Sequence, residues 1–473
     1  MDRKRNSLVL RNILSALIFG LAVTAAFSSV FVQHSSTLAA TPEPHLWAVM
    51  VGVTEYRCPT CIYDQEWNMY PVGIKYPDDN ARDLAAQLSP IAGDDHIKLV
   101  LNEQATNSGI YYAVKWLAEK AGPDDTALFY FSGHSAPHYF GSYDFLVSDQ
   151  QMADWLDSIH ANRVFVILDT CYAGSFQNEL GTNGRAVLMS CQPYESSLED
   201  REFKNGVFTY YILQALKNFD SADTNRNCEL SAAEMFNYAD SKTADEIVAP
   251  FANLPAFSSG NMQHPALYIP PYRSDDFNLL MKVTVHSDAD IVDDTTVLTI
   301  DGTSYLSKQL PASLTWLSGT SHRLDVPLQV NMVDGTRLVF ASWSDGNTSS
   351  SRVIGSGGEY TANYKTQYRL SVDSHYGNAT GSGWYDSGSN AAISTGTSYG
   401  TIIKHTFTGW SGDYTGAEAT ATITMDKSKT VTANWHSDYL RLYLLVAVIV
   451  AVMGGLAAAF MIRRRNTQGD QNQ

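Results

Sequence analysis

Cysteine is scarce. The 473 residues hold 5 of them, too few for a disulfide framework, and an odd number leaves at least one thiol free in an exported chain. Cys58 and Cys61 stand as Cys58-Pro59-Thr60-Cys61, but no second CxxC or His pair at ligand spacing completes a zinc site. A small disulfide loop or plain thiols is the expectation. Positive charge is in deficit too: 32 Lys and Arg against 49 Asp and Glu give a formal charge of -17. Phosphate backbones demand a basic footprint, so nucleic acid is excluded as the main partner. The acidity suits a soluble, exposed surface.

Charge of either sign is missing from Leu442 to Ile462, a run of 21 residues. As a helix that length crosses a hydrocarbon core of about 30 Å. Arg463, Arg464 and Arg465 follow at once, which sets residues 463–473 in the cytoplasm and everything before the span outside. At the other end Arg3, Lys4, Arg5 and Arg11 precede the apolar run Ile13 to Val32 and the small residues Ala39-Ala40, the layout of an export signal. Its long core leaves open whether residues 1–40 are cleaved or stay as an anchor.

At about 150 residues per domain the chain allows two to four units. Between 45 and 270, short apolar runs (Leu46 to Val53, Ile97 to Leu101, Ala127 to Phe131, Val164 to Leu168, Ala186 to Met189) alternate with stretches of three-to-four periodicity. These are Asp79 to Leu88, Ser108 to Lys120, Gln150 to Ile159 and Gly206 to Leu216. Such alternation predicts an α/β fold, a mostly parallel sheet with helices on both faces. After Pro270-Pro271 the sequence turns to Ser, Thr, Gly and aromatics with period-2 segments such as Lys282 to Val285, Val297 to Ile300 and Tyr368 to Val372, an all-β pattern. Phe340-Ala341-Ser342-Trp343-Ser344-Asp345 echoes as Phe407-Thr408-Gly409-Trp410-Ser411-Gly412-Asp413, and Tyr360-Thr361-Ala362-Asn363-Tyr364 as Val431-Thr432-Ala433-Asn434-Trp435. Two copies about 70 residues apart predict tandem β repeat modules over 276–366 and 367–436.

In an open α/β sheet, functional groups gather at the carboxyl ends of strands. Leu128 to Phe131 runs into Ser132-Gly133-His134, and Val164 to Leu168 runs into Asp169-Thr170-Cys171-Tyr172-Ala173-Gly174. If these strands are neighbours, His134 and Cys171 emerge side by side. A thiol attacks a carbonyl as thiolate, and a nearby imidazole favours that form and later protonates the leaving amine.

These motifs resemble those of caspases and metacaspases, the prokaryotic type in particular, within the larger group that includes legumains and gingipains. The likeness extends through Leu46 to Tyr56, Tyr76 to Leu88, Ala186 to Cys191 and Phe208 to Tyr211. It implies a caspase-like fold, with Cys171 as nucleophile and His134 as general acid/base. It also implies an oxyanion hole from the backbone N–H of Cys171 and of the residue after the His, and protein or peptide substrates. That residue is normally Gly and here is Ser135, which serves if the loop does not require positive φ. The same resemblance implies a pocket for Arg or Lys lined by Asp169 and Ser132, with a further acid where this chain has Asn80 beside Asp79; Asp169 alternatively only orders its turn. The tracts from Asp276 to His436 resemble internalin-B-type or Listeria-Bacteroides-type surface repeats, implying a spacer or adhesive stalk.

The chemistry of such a dyad requires no cofactor, and calcium is the one ion the sequence suggests. In 223–234, Asp223, Asn225, Asn227, Ser231 and Glu234 supply side-chain oxygens at positions 1, 3, 5, 9 and 12 of an EF-hand-type loop. Glu229 supplies a backbone carbonyl at 7, and Cys228 replaces the usual Gly at 6. Arg185, Arg201 and Lys204 are candidate processing sites. The expected whole is a single-pass cell-membrane protein: an exported cysteine endopeptidase, or a caspase-like surface adhesion or recognition protein of weak or no activity.

Overall fold

Successive side chains of strand β1 (Leu46–Gly52) fall into two different buried clusters: Leu46, Ala48 and Met50 into one, Val49 and Val51 into the other. The same split recurs in β3 (Thr126–Ser132), where Leu128 and Tyr130 part from Ala127, Phe129 and Phe131. It recurs again in β4 (Arg163–Asp169), where Phe165 and Ile167 part from Val164, Val166 and Leu168. A strand buried on both faces reads as a continuous apolar run, which is why these segments lack polar alternation. Leu128 is 0% exposed, and its truncation to Ala is expected to cost about 2–5 kcal/mol.

With β2 (Ile97–Leu101), β5 (Ala186–Met189) and β6 (Ala266–Tyr268) these strands form one sheet in the order β6-β5-β4-β3-β1-β2. Five strands are parallel and β6 is antiparallel to β5, so the sheet is mixed. Helix α1 (Pro77–Ala92), α4 (Val207–Lys217) and α5 (Ala232–Phe251) cover one face, while α2 (Asn107–Lys120) and α3 (Asp149–Leu156) cover the other. Local chemistry sets their starts. Pro77 opens α1 with Asp78 and Asp79 in its first turn. Thr106 caps α2 by accepting the Gly109 N–H, and Ser148 caps α3 by accepting that of Gln151.

The computed structural model describes residues 43–57, 74–251, 263–273, 277–289, 291 and 294–469, without the side chains of 244–251 and 465–469. The export segment, Cys58 and Cys61 lie outside the described residues. Cys171, Cys191 and Cys228 are free.

From residue 277 onward the chain is strand upon strand. Strand β7 (Asn278–Ser287) does not stand apart from the α/β domain: Leu279 and Leu280, with Phe277 and Leu317, belong to the buried cluster that holds α1 and α4. Arg163 reinforces the junction, its guanidinium donating to the Asn278 carbonyl at 3.0 Å and to that of Ser318 at 2.5 Å. Strand β9 (Gly358–Ser374) pairs in parallel with β7 through its first half and with β11 (Lys429–Asp438) through its second. Strands β8 (Thr336–Trp343) and β10 (Lys404–Gly412) pair antiparallel with β9 and β11, each with a bulge, after Phe340 and after Phe407. Trp343 then faces Ala362, and Trp410 faces Ala433. Both indole N–H groups donate to a loop carbonyl at 2.9 Å, of Ser349 and of Glu418. Each tryptophan anchors its own buried cluster. Two residues beyond Asp438 begins α6 (Leu440–Gly469), whose span Leu440–Arg464 is long and apolar enough to cross a membrane.

Candidate active site

Strands β3 and β4 run parallel with Thr126 opposite Arg163 and, at their far ends, Ser132 opposite Asp169. The chain continues from these partners for two residues each, to His134 and to Cys171. His134 and Cys171 thus each follow the carboxyl end of one of two neighbouring strands by two residues.

Two hydroxyls tie the loops together. The Thr170 hydroxyl lies 2.6 Å from the Gly133 carbonyl and 2.7 Å from the Ser135 hydroxyl. Ser135 in turn donates to the carbonyl of Cys171. After Cys171 the backbone turns sharply, Tyr172 taking φ 56 before a one-turn helix at Ala173–Phe176. Gly174 is required there because a Cβ would stand 2.6 Å from Pro193. Ser135 sits in the short strand Ser135–Ala136 opposite Phe140, in ordinary extended backbone. A serine thus replaces the usual glycine without strain, and its hydroxyl takes up a contact that glycine lacks.

Burial dominates the electrostatics. It pushes the Cys171 thiol above its ordinary value, offset in part by hydrogen bonds from the Ser196–Ser197 segment; Sγ lies 4.0 Å from the Ser197 carbonyl. Burial also raises Asp169, although Ser197 Oγ donates to Oδ1 at 2.5 Å and Thr209 donates to Oδ2 through Oγ1 at 2.6 Å and N at 3.1 Å. Thr209 stands in the first turn of α4, so this carboxylate caps that helix from outside. Gly206 passes so close that a Cβ would lie 2.2 Å from Asp169 Oδ2.

The three pocket candidates converge. Asn80 is 1% exposed and donates to Ser132 Oγ at 3.0 Å, while its Oδ1 accepts the Gly206 N–H at 2.9 Å. Asp79 is exposed, so the amide and not the neighbouring carboxylate meets Ser132. Thr170, Ser197, Thr209 and Glu199, whose carboxylate accepts the N–H groups of Lys75 and Tyr76, were not singled out by sequence. Ser197 and Glu199 come from a loop beyond the strands that no local periodicity announces, whereas Thr170 stands inside the Cys motif and Thr209 inside the family-like stretch Phe208 to Tyr211. Tyr56 had a signal, standing at the end of the first family-like stretch.

The 223–234 loop folds on its own donors. Asp223 accepts the N–H of Asn227 at 3.2 Å and of Cys228 at 2.9 Å, and Glu234 accepts those of Thr224 at 3.2 Å and Ser231 at 3.1 Å. Cys228 takes φ 61, the left-handed conformation that a glycine would favour. Asn225 and Asn227 turn their side-chain oxygens to the N–H groups two residues on. The Glu229 side chain points away to Asn278 and Ser318, leaving only its backbone carbonyl for an ion. An all-oxygen donor set with two carboxylates suits a hard cation held weakly. No group of three or more His, Cys, Asp or Glu side chains able to hold a metal occurs among the described residues.

One expectation is corrected. Arg185 is 1% exposed, pairs with Asp157 and donates to the carbonyls of Leu180 and Glu179 and to Thr182 Oγ1. It is a structural strut, because a protease cannot reach a guanidinium held on all sides. Arg201 and Lys204 are exposed at the tip of the hairpin that joins Glu199–Asp200 to Asn205–Gly206.

A mixed sheet of this order, flanked by helices and presenting Cys and His at adjacent strand ends, defines a caspase-like domain. The family model for the caspase domain of the C14 peptidases matches residues 47–268, and that family implies a cysteine peptidase. No curated protein matches the chain. Among solved structures, a protein from Geobacter sulfurreducens is similar at 15% identity and a TM-score of 0.34, over 48% of this chain and 93% of that one.

Proposed function

We propose that this chain is an exported, membrane-anchored cysteine endopeptidase working through Cys171 and His134. The observation that carries the reading is the Ser132–Asp169 register, which brings both residues to neighbouring strand ends within the family-matched stretch. Cys171 Sγ attacks the scissile carbonyl as His134 takes its proton, and the imidazolium then protonates the leaving amine. The N–H groups of Cys171 and Ser135 receive the oxyanion. Asp169, Ser132 and Asn80 line the pocket for the residue before the cut, Arg or Lys being the preference that the family resemblance implies. Asp223, Asn225, Asn227, Ser231 and Glu234, with the Glu229 carbonyl, would hold calcium, and the bound ion would cross-link the segment between α4 and α5.

In this reading α6 spans the cell membrane with the catalytic and β regions outside. Two internalin-B-type β repeats act as the stalk, supported by the paired bulges and tryptophans of β8 and β10. A non-catalytic recognition module is the second reading, favoured by the saturation of Asp169 with Ser197 and Thr209.

The test is a peptide library digested by the full chain, with and without calcium, read for the residue before each cut. The full chain is needed because Phe277, Leu279, Leu280 and Leu317 are part of the catalytic domain's core. Cuts after Arg or Lys that calcium accelerates support the reading in full; no cuts at all favours the recognition module.

A further inference from the structure

We propose that Tyr56 is a positioning residue for His134, fixing where the imidazole stands relative to the Cys171 turn; this rests on the dyad reading above. His134 lies between strands, in the short connection from β3 to Ser135–Ala136, where no sheet ladder holds it. Its main chain is gripped from both sides instead. The His134 N–H donates to the Tyr56 hydroxyl at 2.7 Å, and the His134 carbonyl accepts the Gly141 N–H at 2.9 Å. The Tyr56 ring also lies against the imidazole, centroids 5.3 Å apart and planes at 40°.

Two glycines make room for this contact. A Cβ on Gly133 would stand 2.9 Å from the Tyr56 hydroxyl, and one on Gly141 would stand 3.3 Å from Tyr56 Cε1 and 2.9 Å from the His134 carbonyl. Both contacts are tighter than side chains tolerate without shifting. The phenol is thus seated in a slot that its neighbours leave open.

Tyr56 is itself well anchored, though it sits on a loop. Val53 N–H donates to the Ser132 carbonyl at 2.9 Å, Thr54 N–H to Asn102 Oδ1 at 2.8 Å, and Arg57 N–H to the Tyr143 carbonyl at 2.9 Å. A catalytic group is only as precise as the shell that supports it. Here the support comes from the loop after β1, the strand next to β3 on the side away from β4. Burial raises the phenol's pKa, so the hydroxyl stays neutral across the working range.

The experiment is alkylation of Cys171 by iodoacetamide at neutral pH, followed by peptide mass spectrometry. It needs no substrate and compares the full chain with His134→Ala, Tyr56→Phe, Gly133→Ala and the Tyr56→Phe/Gly133→Ala pair. Melting curves are recorded alongside. Loss of the base is expected to slow alkylation about a hundredfold, and Tyr56→Phe, which keeps the ring but removes the acceptor, about tenfold without lowering the melting temperature. Gly133→Ala is expected to slow it as well, and to add little once the hydroxyl is gone. Wild-type reactivity in Tyr56→Phe, slowing only in step with unfolding, or additive effects in the pair would each overturn the proposal. Equal rates in wild type and His134→Ala would overturn the dyad reading and this inference with it, an outcome distinct from all of these.

Discussion

Thr170 Oγ1 stands 2.6 Å from the carbonyl oxygen of Gly133 and joins the cysteine-bearing turn to the histidine-bearing loop. Parallel pairing of β3 and β4 ends at Ser132 and Asp169, so beyond that point no ladder hydrogen bond joins the two loops, and the Thr170 hydroxyl links them. Thr170→Val keeps shape and removes the hydroxyl. It is expected to lose about 1 kcal/mol of stability, read by urea unfolding, and about tenfold in turnover with KM unchanged. Ser135→Gly retains the N–H and is expected to keep most of the activity.

Burial penalises the charged form of Cys171, so its thiolate is expected above the ordinary thiol value of 9.0, with the resting thiol neutral. The difference in thiolate absorbance between wild type and Cys171→Ala checks this. A rise confined to alkaline pH fits a proton that His134 removes during attack. A rise in the neutral range would instead show a preformed ion pair.

Asp169 bears on stability as well. Burial raises its pKa above 3.8 in the folded state, so the folded protein holds the proton longer than the unfolded chain does. Its contribution is most favourable below the unfolded value and is lost as pH rises through the folded one. Relative to wild type, Asp169→Asn is therefore expected to gain in unfolding free energy from acid toward neutral pH. A gain in the opposite direction contradicts the assignment of burial as the dominant effect.

Trypsin offers a check on the loops. Brief digestion of the native chain is expected to cut at Arg201 or Lys204, both exposed. Arg185 is expected to be spared until the domain unfolds. Early cleavage after Arg185, seen by intact-mass analysis, would contradict its place as a strut to Asp157.

Much of this architecture is legible in the sequence, for a physical reason. A strand buried on both faces must be apolar throughout, so Val164 to Leu168 announces β4, and the reactive residues after it fall where loops gather. The antiparallel edge strand β6 is less visible, since three residues carry no periodicity. What shapes the candidate pocket is not visible at all. That Asp169 is spanned by Ser197 and Thr209, or that Asn80 rather than Asp79 turns toward Ser132, depends on how helix α1 rotates against the sheet and on loops closing from far away. The buried place of Arg185 is hidden likewise, because a charged residue beside Gly184 looks like a surface loop until Asp157 is seen opposite it.

The decisive measurement is the rate at which the full chain cleaves a peptide library, compared with Cys171→Ala and His134→Ala chains of unchanged melting temperature. A Cys171–His134 dyad gives cleavage by the wild type and a loss of at least about 10³-fold in both variants. Cleavage that survives either substitution, or a folded wild type that cuts nothing, would contradict it.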